Sequence, residues 1–239
     1  MNDYWGKISE RFDEWTAPLR PSLEDVQMFK NQLELTSKTL LLGVTPELQS
    51  LATIAVDHNP RAIEIHRATA ILGDWGNLPF ESEFDAAIGD GSLNVFQGKP
   101  ELFFNQAQKV LKENGRLILR VFISPEIRED LASVLAKKNE MGFHAFKWRI
   151  AQALADPYVR VRDLYHVIKP VYDHPTLELY RESDLIYYFP KLSQLPIWDK
   201  IQFGTSYELA DRCPVITWSS EAVKKSASCQ FFHSLSLPH

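Results

Sequence analysis

The chain has 239 residues, with 26 Lys plus Arg against 31 Asp plus Glu and a net charge of −5. That balance argues against a general nucleic-acid binder, which needs a basic footprint to displace counterions from phosphates. The two cysteines, Cys213 and Cys229, form neither a CxxC pair nor a metal-ligand spacing, and no apolar run reaches the roughly 18 residues of a membrane span.

The length suits one large α/β domain, or an average domain with an insertion, able to bury its core without a metal or disulfide. Hydrophobic residues make up 45% and charged residues 24%, as in ordinary globular proteins. The start, MNDYWGKISERFDEW, lacks the basic beginning and apolar centre of a secretion signal, so a cytoplasmic protein is expected.

In chain order, Tyr4, Trp5, Ile8, Phe12 and Trp15 recur at helical spacing over residues 3–15. Ser22, with Asp25 three residues on, predicts the N-terminus of a second helix through Val26, Phe29 and Leu33. These helices form an N-terminal segment, 1–35, expected across one end of the sheet. An α/β core follows over 36–123, with strands at 39–43, 52–57, 68–72, 84–89 and 116–122. TLLLG and ATIAV are short continuous apolar runs, as in strands covered on both faces. Thr45–Pro46 and Asn59–Pro60 each place a capping residue before a proline at the first helical position. Residues 100–112 carry Leu102, Phe103, Ala107, Val110 and Leu111 on one helical face, stopped by Asn114–Gly115. Alternating strands and helices imply a mostly parallel, doubly wound, Rossmann-like sheet.

Beyond residue 123 the pattern changes. Pro125 opens a helix to Lys138, and helices are predicted at 142–156, 158–172 and 179–189. Residues 141–190 therefore read as a helical cap insertion, rich in Phe, Trp and Tyr. Arg160, Arg162 and Lys169 within it read as a solvated helix face. The segment 191–239 completes the sheet, with PVITWS (214–219) and SCQFFHSLSL (228–237) as an antiparallel pair.

Four polar, turn-forming residues end successive predicted strands: Gly43, Asp57, Asp74 and Asp90. Ligands of open parallel sheets bind outside the carboxyl ends of the strands, so these ends describe one cleft. Asp57, followed by His58, is placed to accept from ribose hydroxyls. The pyrophosphate-cradling G-x-G-x-x-G turn is absent around Gly43, which disfavours a dinucleotide dehydrogenase. His144 and His166 have no partners at metal-ligand spacing, no Gly-x-Ser-x-Gly elbow occurs, and no metal is expected.

The series TLLLGVTPEL, ATIAVDHNP, ATAILGDWGNLPF and FDAAIGDGSLN resembles the class I S-adenosylmethionine (SAM) dependent methyltransferases. It departs from them at the first loop. There, Leu41-Leu42-Gly43-Val44-Thr45-Pro46-Glu47 keeps one glycine of the usual three and has no acidic residue before it. The resemblance implies SAM as cofactor and methyl donor. Gly43, Val44 and Thr45 would lie at its methionine end and Asp57 at the ribose. Asp74 would take the adenine amine, with Trp75 on the purine face. Asp90, Gly91 and Ser92 would lie beneath the sulfonium, Asp90 being also the candidate catalytic residue. Arg20 would pair with the cofactor carboxylate. Tyr4, Trp5, His144, Trp148 and Arg149 would line the acceptor pocket. The expected activity is methyl transfer to a small-molecule acceptor, without nucleic acid or membrane as partner. A non-catalytic protein binding SAM or S-adenosylhomocysteine, and a nucleotide-dependent oxidoreductase, are the alternatives.

Overall fold

The computed structural model describes residues 4–228. The chain runs α1 (Tyr4–Glu10), α2 (Leu23–Lys30), β1 (Thr39–Leu42), α3 (Pro46–Gln49), β2 (Ile54–Asp57), α4 (Pro60–His66), β3 (Ala70–Leu72), β4 (Phe84–Asp90), α5 (Ser92–Val95), α6 (Pro100–Val110) and β5 (Leu111–Arg120). It continues through α7 (Leu131–Ala136), α8 (Phe143–Leu154), β6 (Tyr158–Arg160), α9 (Val161–Ile168), β7 (Ile186–Tyr188), β8 (Lys200–Gln202), β9 (Val215–Ser219) and α10 (Ser220–Ser228).

Seven strands form one sheet in the order β3-β2-β1-β4-β5-β9-β8. The first five pair in parallel, whereas β9 runs antiparallel to both β5 and β8. The central strands are buried on both faces, which is why they read as unbroken apolar runs. Alternation still sorts the faces. Leu40, Leu42, Val56, Leu117, Leu119 and Trp218 pack in one cluster with Phe103, Phe104 and Ala107 of α6. Leu41, Ala55, Ile88 and Ile118 pack on the other face with Val26 and Phe29 of α2, Leu48 of α3 and Ala62 of α4.

The local signals at the helix starts act largely as expected. Ser22 Oγ accepts from Asp25 N at 3.1 Å, and the Asp25 carboxylate accepts from Ser22 N at 2.8 Å. Asn59 Oδ1 accepts from Arg61 N and Ala62 N, both at 3.0 Å. Thr45 precedes Pro46, but its side chain makes no capping hydrogen bond.

The structure departs from the helical reading in three places, two of them through strand pairing. The helix expected from Pro125 to Lys138 shrinks to α7, capped by Asp130, whose carboxylate accepts from Ser133 N at 2.9 Å. The stretch 158–172 opens as β6 before α9, and 179–189 supplies β7 after a short 3-10 turn, Pro175–Leu179. β6 and β7 form a separate antiparallel ribbon in which Tyr158 faces Tyr188. Aromatic and β-branched side chains gain more from such cross-strand pairs than from a helix surface.

The antiparallel pair at the end of the sheet is β8 with β9; residues 229–237 of the second apolar run lie outside the described residues. Cys213 is a buried free thiol, pushed up to about 12 by desolvation, and Cys229 lies outside the described residues. Among the described residues no helix is long and apolar enough to cross a membrane.

Candidate functional site

From β1 the chain winds outward to β2 and β3, then returns to the other side of β1 for β4 and β5. Strand order therefore reverses between β1 and β4, and a crevice opens at their carboxyl ends. A cavity of about 500 Å³ lies there, and Gly43, Asp57, Asp74 and Asp90 all line it. Its volume falls within the roughly 300–1,000 Å³ of small-molecule sites.

On the β1–β3 side the walls are fixed by backbone. Gly43 has φ of 109°, which favours glycine. A Cβ there would stand 3.6 Å from Trp75 Cζ2 and 3.9 Å from Asp57 Oδ2, so the three residues converge. Trp75 is pinned because its indole N–H donates to Val56 O at 2.7 Å. Asp57 Oδ1 accepts from Asn59 N at 2.8 Å, with the exposed His58 ring 3.7 Å away. Burial raises the Asp57 carboxyl above its usual range, more than the Asn59 amide and His58 lower it. Asp74 is exposed at the rim and accepts from Gly76 N at 2.8 Å. Val44 and Thr45 also line the cavity.

The β4 end differs from its expected role. Asp90 and Arg120 are register partners across β4 and β5, and Arg120 Nε donates to Asp90 Oδ1 at 2.5 Å. Arg120 is fully buried; it also donates to Pro18 O at 2.9 Å and Tyr207 Oη at 3.1 Å, and lies 3.6 Å from Asp25. Desolvation nevertheless raises the Asp90 carboxyl, with Arg120 opposing and Asp25 and Glu47 adding to the rise. Asp90 is thus half of a buried ion pair that floors the cavity. Gly91 takes φ of 63°, and a Cβ there would meet Phe122 Cε2 at 2.7 Å. Ser92 does not line the cavity: it is buried, and its hydroxyl donates to Leu42 O at 2.6 Å. Asn94 staples this corner, donating to Phe122 O at 2.7 Å and Tyr188 O at 2.6 Å.

The opposite wall comes from α1 and the residue 141–190 segment. Tyr4, Trp5 and Trp148 line the cavity, joined by Phe122, Tyr180 and Tyr187. His144 and Arg149 do not. His144 packs beside Phe143 and His174, where burial pushes its imidazole down to about 3. Arg149 turns away to Glu129, its Nε lying 2.9 and 3.0 Å from the two carboxylate oxygens. Arg20 is likewise taken, by Glu47 and by the Phe12 and Trp15 carbonyls.

Arg120, Asn94, Tyr180 and Tyr187 escaped the sequence reading as site residues. Of the two arginines in the otherwise apolar strand GRLILRVF, Arg116 and Arg120, the second, flanked by Leu119 and Val121, was the available signal. Tyr180 and Tyr187 were visible only as members of an aromatic-rich insertion.

No family model matches the sequence, and no curated protein matches it. Solved structures do. A crystal structure from Rhodobacter sphaeroides named as a Zn-dependent alcohol dehydrogenase is similar with a TM-score of 0.66 and 15% identity, over 90% of this chain and 96% of that one. The Burkholderia thailandensis 1,6-didemethyltoxoflavin-N1-methyltransferase, with bound 1,6-didemethyltoxoflavin and S-adenosylhomocysteine, gives 0.53 and 15%, over 91% and 85%. A SAM-dependent methyltransferase from Thermotoga maritima gives 0.50 and 15%, over 92% and 100%. The chain has the fold of the SAM-dependent methyltransferases. At these identities the likeness is one of fold. Among the described residues no group of three or more His, Cys, Asp and Glu side chains is placed to hold a metal ion.

Proposed function

We propose that the protein transfers a methyl group from SAM to a small-molecule acceptor. The observation that carries this reading is the convergence of Asp57, Gly43 and Trp75 at the switch point of the sheet, in one cavity with Asp74 and Asp90. The donor set suits SAM. Asp57 Oδ1 is engaged by backbone and Oδ2 lies beside Gly43, suited to two ribose hydroxyls. Asp74 at the rim suits an exocyclic amine, and the pinned indole of Trp75 suits a purine face. Val44 and Thr45 suit the uncharged approach of a ligand that has no phosphate.

SAM is consumed as a substrate. The acceptor's lone pair bonds to the methyl carbon while the carbon–sulfur bond breaks, and its electron pair stays on sulfur. The protein's part is to hold the two reactants in line and exclude water. Asp90, locked by Arg120, keeps a fixed negative charge at the cavity floor. The segment 141–190 acts as a cap that selects a small acceptor, because Trp148, Tyr180 and Tyr187 close the cavity that Asp57 opens onto. The Burkholderia neighbour, which holds a small heterocycle, supports an acceptor of that size.

Calorimetry with SAM, S-adenosylhomocysteine and NAD tests the reading. Binding of the first two and not of NAD is expected. Binding of NAD alone would instead favour the oxidoreductase that the Rhodobacter neighbour's name suggests. Turnover of SAM with small metabolites separates an enzyme from a silent binder.

A further inference from the structure

Behind the aromatic wall lies a buried amine that methyl-donor binding does not use. Lys147 on α8 is 1% exposed. Its Nζ lies 2.7 Å from Tyr180 Oη, 4.5 Å from the Trp148 ring centre and 5.3 Å from that of Tyr180. No carboxylate pairs with it among the described residues. An ammonium buried without a counterion is costly, and desolvation pushes this amine down to about 7.

The lysine is connected to the cavity by hydroxyls. Tyr180 takes the hydrogen bond from Lys147, and Tyr4 and Tyr187 share one at 2.8 Å between hydroxyl oxygens, with the Tyr4 and Tyr180 ring centres 5.9 Å apart. These are two hydrogen-bonded pairs side by side, and all three phenols line the cavity. Trp148 lines it as well, and its indole N–H is buried with no hydrogen-bond partner. Buried donors without acceptors are rare, and an oxygen on a ligand would satisfy this one.

We propose that this end of the cavity takes an acceptor with an acidic hydroxyl on an aromatic ring, and that Tyr180 carries its proton to Lys147 while Trp148 Nε1 donates to the oxygen. The inference rests on the methyl-transfer reading and names its substrate class. The acceptor's O–H bond breaks and its electrons stay on oxygen. Tyr180 passes one proton on and takes one in return, and the Lys147 amine becomes an ammonium. The oxygen is then free to take the methyl group, so the acceptor exchanges one proton for one methyl cation. Such a phenol enters neutral and stacks on rings already in place.

The titratable groups around the lysine leave it as the terminal site. His144 lies one turn back on α8, His174 and Tyr180 come from the connection after α9, and Tyr4 and Tyr187 come from α1 and β7. Burial lowers both imidazoles and raises all three phenols, so near neutral pH none competes for the proton.

Two phenols whose ionised forms absorb distinctly, 4-nitrophenol and 7-hydroxycoumarin, test this on protein saturated with S-adenosylhomocysteine. Just above the value of about 7 at which Lys147 gives up its proton, the bound phenol is expected to show a larger phenolate band than the same phenol free in solution. In Lys147→Met and in Tyr180→Phe the band should fall about tenfold or more, the ratio that one pKa unit gives. Calorimetry should show both variants still binding S-adenosylhomocysteine. If Lys147→Met fails to fold, Tyr180→Phe carries the test alone. The proposal is overturned if neither phenol binds, if the wild type holds them neutral, or if the variants keep the band. Loss of S-adenosylhomocysteine binding in the variants overturns it too, by making the Lys147–Tyr180 pair structural. Failure of the wild type to bind S-adenosylhomocysteine sinks the methyl-transfer reading itself, a separate signal in the calorimeter.

Discussion

Asp57 and Asp90 show how two strand-end carboxylates in one cavity come to differ. Asp57 loses water on folding and regains one backbone amide, so its carboxyl is raised and still has capacity to accept. Replacing it with alanine should weaken SAM binding by about 2–4 kcal/mol, the worth of two charge-assisted hydrogen bonds, and leave the melting temperature nearly unchanged. Affinity within twofold of wild type in calorimetry would remove Asp57 from the ribose role. Those bonds need the ionised carboxylate. SAM affinity should therefore weaken as pH falls toward the raised Asp57 value, sooner than for an ordinary aspartate. The opposite holds for Asp90, whose removal leaves the buried Arg120 charge with only the more distant Asp25 carboxylate, 3.6 Å away. Asp90→Ala should cost about 3–5 kcal/mol of stability, read by chemical denaturation. The position of each aspartate was legible in sequence, because strand ends follow from apolar runs. Their division of labour was not, since Arg120 reaches Asp90 only through the register of two strands.

At the scale of elements, the 141–190 segment is tied to the rest of the fold by a compact charge cluster. Glu129, in the connection before α7, binds Arg149 of α8 and lies 2.7 Å from Arg212, which precedes β9. The two guanidinium groups hold its carboxyl down to about 2, against an ordinary value of 4.5. A depressed acid contributes stability above its unfolded pKa and loses it as pH falls through the folded one. The docking of this segment should therefore weaken between about pH 4.5 and pH 2, by on the order of 1–3 kcal/mol. Glu129→Gln should flatten that window in pH-dependent thermal melts. An unchanged acid limb would mean that the cluster contributes nothing measurable. Element starts such as Ser22 and Asn59 were readable because a cap is a local device. The β6–β7 ribbon was not, because Tyr158 and Tyr188 find each other across 30 residues and helical spacing cannot report a partner.

The whole molecule places its cavity between apolar clusters of different origin. One side rests on the sheet, through Leu42 with the α6-side cluster and through Val44 and Ala62 with the α2-side cluster. The other rests on a cluster that joins Tyr4, Ile8 and Trp15 to Trp148, Tyr180 and Tyr187. A ligand seated in the cavity touches both, so it should couple the cap and α1 to the sheet. Anything that binds the folded state alone stabilises it by RT ln(1 + [L]/Kd), about 2.7 kcal/mol at a hundred times Kd. For a chain of this size each kcal/mol moves the melting temperature by about 2–4 °C. S-adenosylhomocysteine at that concentration should thus raise it by roughly 5–10 °C. Hydrogen exchange locates the gain. Protection should appear in α1, α8 and the β7 region as well as at the carboxyl ends of β1 and β2, and not along β8 at the far edge of the sheet. Protection confined to the strand ends, with α1 and α8 exchanging as before, would mean that the ligand does not bridge the two sides. The cap would then be a fixed wall, and acceptor size would have to be set elsewhere.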